Sequence, residues 1–145
     1  MACEAAWLTM DKQGLAGLLL QSHQRAFDRP LIASAQPNRS KRLICQELFA
    51  CGFPVLAHGT ESDPRLSYAN AAALQLWETS WHELIGLPSR LTAPETERAD
   101  RSIALGQAKR LDAVQNYQGI RISRKGQQFM INNARIWTLW DAEER

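Results

Sequence analysis

Cysteine is scarce in this sequence of 145 residues. Its three copies, Cys3, Cys45 and Cys51, form no C-x-x-C pair and have no nearby histidines spaced as metal ligands. The sequence therefore predicts neither a disulfide framework nor a zinc site, and it favours free, buried thiols. We expect the chain to fold without metals or disulfides.

Long hydrophobic runs are also missing. The apolar stretch around Leu18 to Leu20 is far shorter than the roughly 20 residues that a membrane-spanning helix needs. The first charged residues are Glu4 and Asp11, so no basic segment precedes this stretch as one would in a secretory signal. These absences predict a cytoplasmic protein without a membrane partner.

A strong excess of charge of either sign is missing as well. Lys and Arg total 17 against 15 Asp and Glu, and the formal net charge of +2 is too small to predict a surface for nucleic acid or anionic lipid. The hydrophobic share of 45% and the charged share of 22% are those of an ordinary globular protein. A chain of this length is expected to form one domain, over residues 1–145.

Helical periodicity dominates the first third of the chain. Apolar residues recur at three- and four-residue steps from Thr9 to Phe27, which predicts an amphipathic helix. A polar loop at 34–40 separates it from a second short helix, for which Cys51-Gly52 predicts a glycine C-cap. Residues 9–51 therefore form an N-terminal helical segment.

Strand-like runs lie at both ends of the remaining segment, 53–140. One hairpin is predicted from 53–57 with 65–69, and a longer one from 114–123 with 127–140. Grouping helices between two hairpins predicts an α+β fold.

Residues typical of helix N-termini lie in the sequence between these two hairpins. Asn70 predicts an N-cap, and helices are expected at about 80–86 and 93–110, after the capping-box residues Ser80 and Thr92.

Six separate stretches, spread over nearly the whole chain, carry a family resemblance. They are Leu18-Leu19-Leu20 with Arg29-Pro30-Leu31-Ile32, His58-Gly59-Thr60-Glu61-x-Asp63-Pro64, Tyr68-x-Asn70-x-Ala72, Leu76-Trp77-Glu78-x-Ser80-Trp81, Leu87-Pro88-Ser89-Arg90-Leu91-Thr92-Ala93 and Asn116-Tyr117-x-Gly119-Ile120-Arg121-Ile122-Ser123. Together they resemble the MEKHLA domain family, a PAS-related group. The resemblance implies a PAS-like core over 53–140, in which a five-stranded antiparallel sheet has helices over one face and a cavity that often holds a small molecule. It implies no known reaction.

One departure from the family concerns the last strand of the sheet. The family continues past residue 140 with a further strand, whereas this chain stops at Arg145. In a PAS sheet that strand lies between those expected at 53–57 and 127–140, and without it two neighbours would keep unpaired backbone groups. We expect either direct closure into four strands or a strand donated by a second chain, and we favour direct closure because no segment before Phe53 is strand-like. An open edge at 53–57 would argue against the PAS-like assignment.

Two cofactors found in PAS-class sensors are not expected. A flavin photoreceptor that forms a thiol adduct needs a cysteine before its long helix, and Ser89 stands at that place. A haem sensor needs an axial histidine on the long helix, and residues 94–110 contain none. We therefore expect no cofactor.

A ligand cavity is expected to have aromatic, amide and arginine side chains in its wall. The candidates are Tyr68, Trp77, Trp81, Arg90, Asn116, Tyr117, Arg121 and Trp137. The tryptophans are either flat cavity walls or large core fillers, and Arg90 with Arg121 forms a fork for a carboxylate or phosphate unless each is simply solvated or paired. Gly119 shares a predicted strand face with Tyr117 and Arg121, and it indicates either a bulge or room for a group to approach the sheet.

The loop after the first strand collects an imidazole, two hydroxyls and two carboxylates, which admits a catalytic or metal-binding hypothesis. A structural turn is the favoured interpretation, formed by His58, Gly59, Asp63 and Pro64, because Asp-Pro favours an Asx turn and glycine allows a positive φ.

The leading hypothesis is a non-enzymatic PAS-like sensory or regulatory module that binds a small organic ligand in its core. It would signal through association with itself or a regulatory protein. The second hypothesis is a pure dimerisation module without a ligand, for which the helix at 9–27 would supply the apolar face. An enzyme that uses the His58 loop is the third.

Overall fold

The computed structural model describes residues 5–32 and 40–140. Its helices and strands, in chain order, are α1 (Met10–Phe27), α2 (Lys41–Ala50), β1 (Leu56–His58), β2 (Leu66–Ala69), α3 (Ala71–Leu76), α4 (Trp81–Leu84), α5 (Arg98–Leu111), β3 (Ala113–Ile122) and β4 (Gln128–Trp137). Short 3-10 turns lie at Ala6–Leu8, Ser89–Thr92 and Glu95–Glu97. None of the helices in this described part has the length and apolar composition needed to cross a membrane.

The end of α2 differs from the expected glycine C-cap. Cys51 leaves the helix in an extended conformation, with φ −64° and ψ 156°. The side-chain amide of Asn70 donates to the carbonyl oxygens of Leu48 (3.2 Å) and Phe53 (2.8 Å) instead. The glycine-cap prediction is wrong because a distant asparagine satisfies the Leu48 carbonyl near the end of the helix and holds the chain that follows it at Phe53.

The long helix also begins later than Thr92 predicted. Thr92 ends the 3-10 turn Ser89–Thr92, and its hydroxyl donates to the carbonyl oxygen of Ser89 at 2.8 Å. Pro94 then leads into a second 3-10 turn, and α5 starts at Arg98. The capping-box prediction at Thr92 is wrong because its hydroxyl serves the preceding turn.

Four strands form two antiparallel hairpins. In the first, Ala57 of β1 pairs with Tyr68 of β2. In the second, Arg121 of β3 pairs with Phe129 of β4, and the register of the two strands shifts twice along the hairpin. Asn116 and Asn133, with φ of 57° and 53°, lie at these shifts, and asparagine tolerates this left-handed backbone better than most residues.

The expected direct closure of the sheet is wrong. Within the described residues β1 pairs only with β2 and β4 only with β3, so the hairpins belong to separate sheets. Helix α1 contacts both: Lys12 Nζ donates to the Ser67 carbonyl of β2 at 2.9 Å, and Trp137 Nε1 of β4 donates to the Leu19 carbonyl at 3.2 Å. Helix packing, and not strand pairing, therefore connects the two hairpins.

Two apolar clusters lie on opposite faces of the β1–β2 hairpin. The outer cluster joins α1 and α2 to the hairpin and includes Leu19, Leu48 and Tyr68. The inner cluster includes Leu66 and Trp77 and faces the helices that follow. The apolar stripe of α1 is thus buried against its own chain, as a domain-stabilising helix would be.

Candidate ligand-binding site

The inner cluster leaves a small apolar space beside Trp77. The indole donates to the carbonyl oxygen of Thr92 at 3.2 Å and meets the ring of Phe129 edge-on, with centroids 5.1 Å apart. A narrow apolar space lies next to Trp77, between β2, α4 and the Ser89–Thr92 turn, and it does not admit a water-sized molecule. Ligand pockets usually measure about 300–1,000 Å³, so a ligand can enter here only if side chains move.

A buried arginine lies across the β3–β4 hairpin from Phe129, the residue whose ring packs against Trp77. Arg121 is 6% exposed, and its strand partner Phe129 lies directly opposite on the same face of the hairpin. Its guanidinium donates to the Ile120 carbonyl at 2.9 Å and to the Tyr117 hydroxyl at 3.2 Å. A guanidinium has more N–H donors than these two contacts use.

Tyr117 connects Arg121 to the helix above it. Its hydroxyl accepts from Arg121 and donates to the carboxylate of Asp100 on α5 at 3.2 Å. The strand face therefore carries a relay of hydrogen bonds from Arg121 through Tyr117 to α5.

Gly119 makes this arrangement possible. A Cβ at this position would lie 2.5 Å from the Tyr117 hydroxyl and 2.9 Å from an Arg121 nitrogen. The groups that approach the sheet at Gly119 are therefore side chains of this chain, folded across the glycine.

A second arginine reaches the same region from α5. Arg101 is half-buried, and burial lowers the pKa of its guanidinium to about 10. The positive charge of Arg121 lowers this pKa further, while Tyr117 opposes the change. Arg101 and Arg121 thus belong to two elements, α5 and β3, that pack against each other.

Arg101 was absent from the residues proposed from the sequence, although a signal for it exists. It precedes the buried Ala104 and Ala108 by three and seven residues, which places it in the inward stripe of α5. An arginine in the apolar stripe of a helix is unusual and indicates a partner for its charge.

Neither guanidinium has an acidic partner in the described part of the chain, where no carboxylate forms an ion pair with Arg101 or Arg121. Buried charges are normally paired, because an isolated one loses its hydration without compensation. Chemically, the guanidinium fork of a buried arginine such as Arg121 can receive the oxygens of an anion.

The structure separates most of the other predicted pocket residues from this region. Tyr68 and Trp81 meet edge-on at 5.7 Å in the outer cluster, and burial raises the pKa of the Tyr68 hydroxyl above its ordinary range. Trp137 packs edge-on against His23 of α1, with centroids 5.0 Å apart.

Two further candidates lie on the surface. Arg90 is exposed and pairs with Asp63 at 3.2 Å, and Asn116 is exposed at its bulge. Of the predicted pocket residues, Trp77 lies in the inner cluster, and Tyr117 and Arg121 are hydrogen-bonded to each other on β3. The pocket itself stays a prediction.

The His58 loop has the hydrogen bonds of a turn. His58 Nδ1 donates to the Gly59 carbonyl at 3.0 Å, and the Gly59 amide closes the loop by donating to the Arg65 carbonyl at 3.0 Å. Gly59 does this without the positive φ expected of it. Glu61 lies so close to Gly59 that a side chain there would collide with its carboxylate. No group of three or more His, Cys, Asp or Glu able to hold a metal occurs among the described residues.

A thiol-adduct flavin does not fit the described residues. The position of the thiol is held by Ser89, which is fully buried. Cys45 and Cys51 belong to α2 and its end, in contact with the outer cluster. The space beside Trp77 is also far too narrow for a three-ring system.

A comparison with known families decides the relationship of this chain. Residues 13–145 match the family model of the MEKHLA domain, which covers nearly the whole sequence. The chain belongs to the MEKHLA domain family. A search of the curated proteins found no match.

Solved structures of Vivid, a blue-light photoreceptor, share the fold. A cysteine-to-serine variant of Vivid has a TM-score of 0.55 at 16% identity, covering 88% of this chain and 91% of that one. An isoleucine-to-valine variant has a TM-score of 0.53 at 18% identity, covering 83% and 87%. These structures are similar in fold, and at this identity the similarity extends no further.

The MEKHLA member is thus an α+β domain with a PAS-like fold, in a family that is generally non-enzymatic. The predictions of the family and of an α+β, PAS-like fold are confirmed, and the generally non-enzymatic character of the family agrees with the predicted non-enzymatic module. The edge of β1 that has no strand partner among the described residues therefore does not argue against the assignment, which rests on the family and on the shared fold.

Proposed function

We propose that this MEKHLA domain is a sensory or regulatory module that binds a small organic ligand between α5 and the inner face of the β3–β4 hairpin. Binding would change how the domain associates with a second copy or with a regulatory protein. The proposal assigns no reaction and no cofactor to the chain.

One observation carries this proposal. Arg121 is almost fully buried, lies across the β3–β4 hairpin from Phe129, whose ring packs against Trp77, and has no acidic partner within the described chain. A buried polar group without full compensation costs stability, and proteins keep such groups mainly where a ligand or partner completes them.

The size of the space limits the ligand. Because the space beside Trp77 does not admit a water-sized molecule as the side chains lie, no ligand fits it unchanged. A ligand would have to displace side chains, of which the ring of Phe129 on Trp77 is one.

Native mass spectrometry of the protein purified from its source tests the proposal. We expect a small bound mass that is lost on denaturation, and a rise in melting temperature when the released compound is added back. Absence of both would reject ligand sensing.

A pure association module is the second candidate, and the narrowness of the inner space favours it. Light scattering would then show concentration-dependent self-association while no compound changes the melting temperature. The third hypothesis, an enzyme using His58, requires that His58→Ala abolish an activity without altering stability. A loss of stability in that variant would instead support the role of His58 in the turn.

A further inference from the structure

We propose that proton uptake on His23 opens the contact between α1 and the end of β4, while the turn of the β3–β4 hairpin keeps its contact with the end of α3. The inference goes beyond the proposed function, because its input is a proton and it holds with or without a ligand. It adds a pH-dependent change of shape to the module.

The β3–β4 hairpin touches two different parts of the fold at its two ends. At its turn, the Arg124 amide donates to the carbonyl oxygen of Trp77, the residue that ends α3, at 2.9 Å. At the other end, Trp137 of β4 donates to the Leu19 carbonyl of α1 at 3.2 Å. Within the described residues no strand pairing joins this hairpin to β1 and β2. The contact with α1 can therefore open while the contact at the turn holds.

His23 lies at the centre of the contact between α1 and β4. Its side chain is fully buried, its Nε2 is 3.0 Å from a guanidinium nitrogen of Arg135, and the ring of Trp137 meets it edge-on with centroids 5.0 Å apart. A guanidinium only donates, so Nε2 accepts, and Nδ1 carries the hydrogen that is donated to the Arg29 carbonyl at 3.0 Å. The contact is therefore complete only while the ring is neutral.

A proton on Nε2 replaces this hydrogen bond with a repulsion. The new N–H would face the N–H donors of Arg135, and a second positive charge would be buried beside the first. The charged groups that act on His23 are Arg135 and Arg29, both cationic, and no acidic side chain in the described part of the chain is bonded to the ring. The acidic neighbour Asp28 is exposed at the end of α1. Opening the contact lets both cations regain water.

The titration of His23 limits the size of the effect. Burial favours the neutral ring and lowers the pKa of His23 in the closed structure. In the open structure the ring meets water and titrates near its ordinary pKa of about 6.5. Each unit of pH below that value therefore raises the ratio of open to closed molecules by at most about tenfold.

Hydrogen exchange at the tryptophan indoles, followed by NMR, tests the local opening, because Trp137 and Trp77 report on the two ends of the hairpin. The Trp77 indole donates to the Thr92 carbonyl and belongs to the inner cluster. Between pH 7.5 and 5.0, after correction for the intrinsic effect of pH on exchange, protection of the Trp137 indole should fall by about 5- to 30-fold. Protection of the Trp77 indole should stay within about twofold.

Two substitutions at the contact and one matched control assign the effect to His23. His23→Gln keeps a donor and an acceptor but does not titrate, so protection of Trp137 should change by less than about twofold over the same pH range. His82→Gln removes an exposed histidine of α4 and should respond as the wild type does. Arg135→Gln keeps the test valid if His23→Gln fails to fold. Its amide oxygen can accept from the protonated ring, so the fall in Trp137 protection should be smaller than in the wild type.

Three results would overturn the inference. Equal losses of protection at Trp137 and Trp77 would show that the domain opens as one unit. Protection of Trp137 that does not depend on pH would remove the proton as the input, and an unchanged pH response in the folded variants of His23 and Arg135 would exclude this contact as its origin. None of these results alters the mass spectra or melting shifts that test ligand binding, so the two proposals fail separately.

Discussion

At the scale of single residues, Asn70 connects three elements. Its fully buried side-chain oxygen accepts from the amides of Val55 (2.9 Å) and Ala73 (3.1 Å), while its nitrogen donates to the end of α2. Asn70 is therefore the N-cap of α3, the C-terminal partner of α2 and the anchor of β1 at once. The sequence predicted only the first of these roles, because the other two depend on contacts distant in the chain.

Asn70→Ala should lower the free energy of unfolding by about 4 kcal/mol, since each buried group left without a partner costs on the order of 1–3 kcal/mol. Ser80→Ala is the control, because Ser80 caps α4 at an exposed site and its loss should cost about 1 kcal/mol. Urea unfolding measures both. Equal losses would show that the long-range bonds of Asn70 contribute nothing.

Gly119 is a second residue whose role is visible only in three dimensions. Gly119→Ala places a methyl group against the Tyr117 hydroxyl and Arg121, so we expect a loss of about 2 kcal/mol from forced displacement. Gly106→Ala, in the exposed face of α5 with open space around it, should instead stabilise by about 0.5–1 kcal/mol. Thermal unfolding of the two variants should shift in opposite directions, and a shift in the same direction would contradict the crowding at Gly119.

At the scale of elements, local signals predicted the start of a helix correctly where the capping side chain and the amide it accepts from are close in sequence. Ser80 caps α4 and Asn70 caps α3 as expected, because each accepts from an amide three residues later. Thr92 carries the same pattern and fails, because a carbonyl three residues before it takes its hydroxyl. Pattern alone cannot distinguish these outcomes, since the competing bond belongs to a turn with no strong sequence signal.

The contact between α1 and β4 depends on a buried histidine. His23 is fully buried; its Nδ1 donates to the Arg29 carbonyl at 3.0 Å, and its Nε2 accepts from Arg135 of β4 at 3.0 Å. Burial lowers the pKa of His23 below its ordinary value of 6.5, and the charges of Arg135 and Arg29 lower it further, against the bond to the Arg29 carbonyl. The neutral ring is therefore the form that joins α1 to β4.

This contact should make the stability of the fold depend on pH. Because the folded protein takes up a proton on His23 at lower pH than the unfolded chain does, its stability is complete above about pH 6.5 and falls as the pH decreases, by at most about 1.4 kcal/mol per pH unit. His23→Gln keeps a donor and an acceptor without titrating, so its urea unfolding should be less steep in pH between 7 and 5. His82→Gln, at an exposed position of α4, should retain the profile of the wild type. Identical profiles for wild type and His23→Gln would exclude this source of pH dependence.

At the scale of the whole molecule, the sequence predicted the family and the number of hairpins but not how the hairpins meet. Direct closure into a four-stranded sheet was predicted because unpaired backbone groups of neighbouring strands are costly. It fails because α1 contacts both hairpins, through Lys12 and through the Leu19 carbonyl. Arg121 was among the predicted pocket residues, whereas Arg101 was missed for a related reason. The two lie 20 positions apart in sequence, and only the packing of α5 on β3 relates their elements.

If α1 is the main connection between the hairpins, weakening one of its ends should loosen one hairpin more than the other. Trp137→Phe removes the bond from β4 to the Leu19 carbonyl, worth about 1 kcal/mol, so amide hydrogens of β3 and β4 should exchange roughly fivefold faster than in the wild type. Amides of β1 and β2, held by Lys12 and the outer cluster, should change less. Trp140→Phe is the control, because the Trp140 indole nitrogen has no partner within the described residues. An equal increase in both hairpins for Trp137→Phe would mean that the domain opens as one cooperative unit, and that the helix does not divide its stability between them.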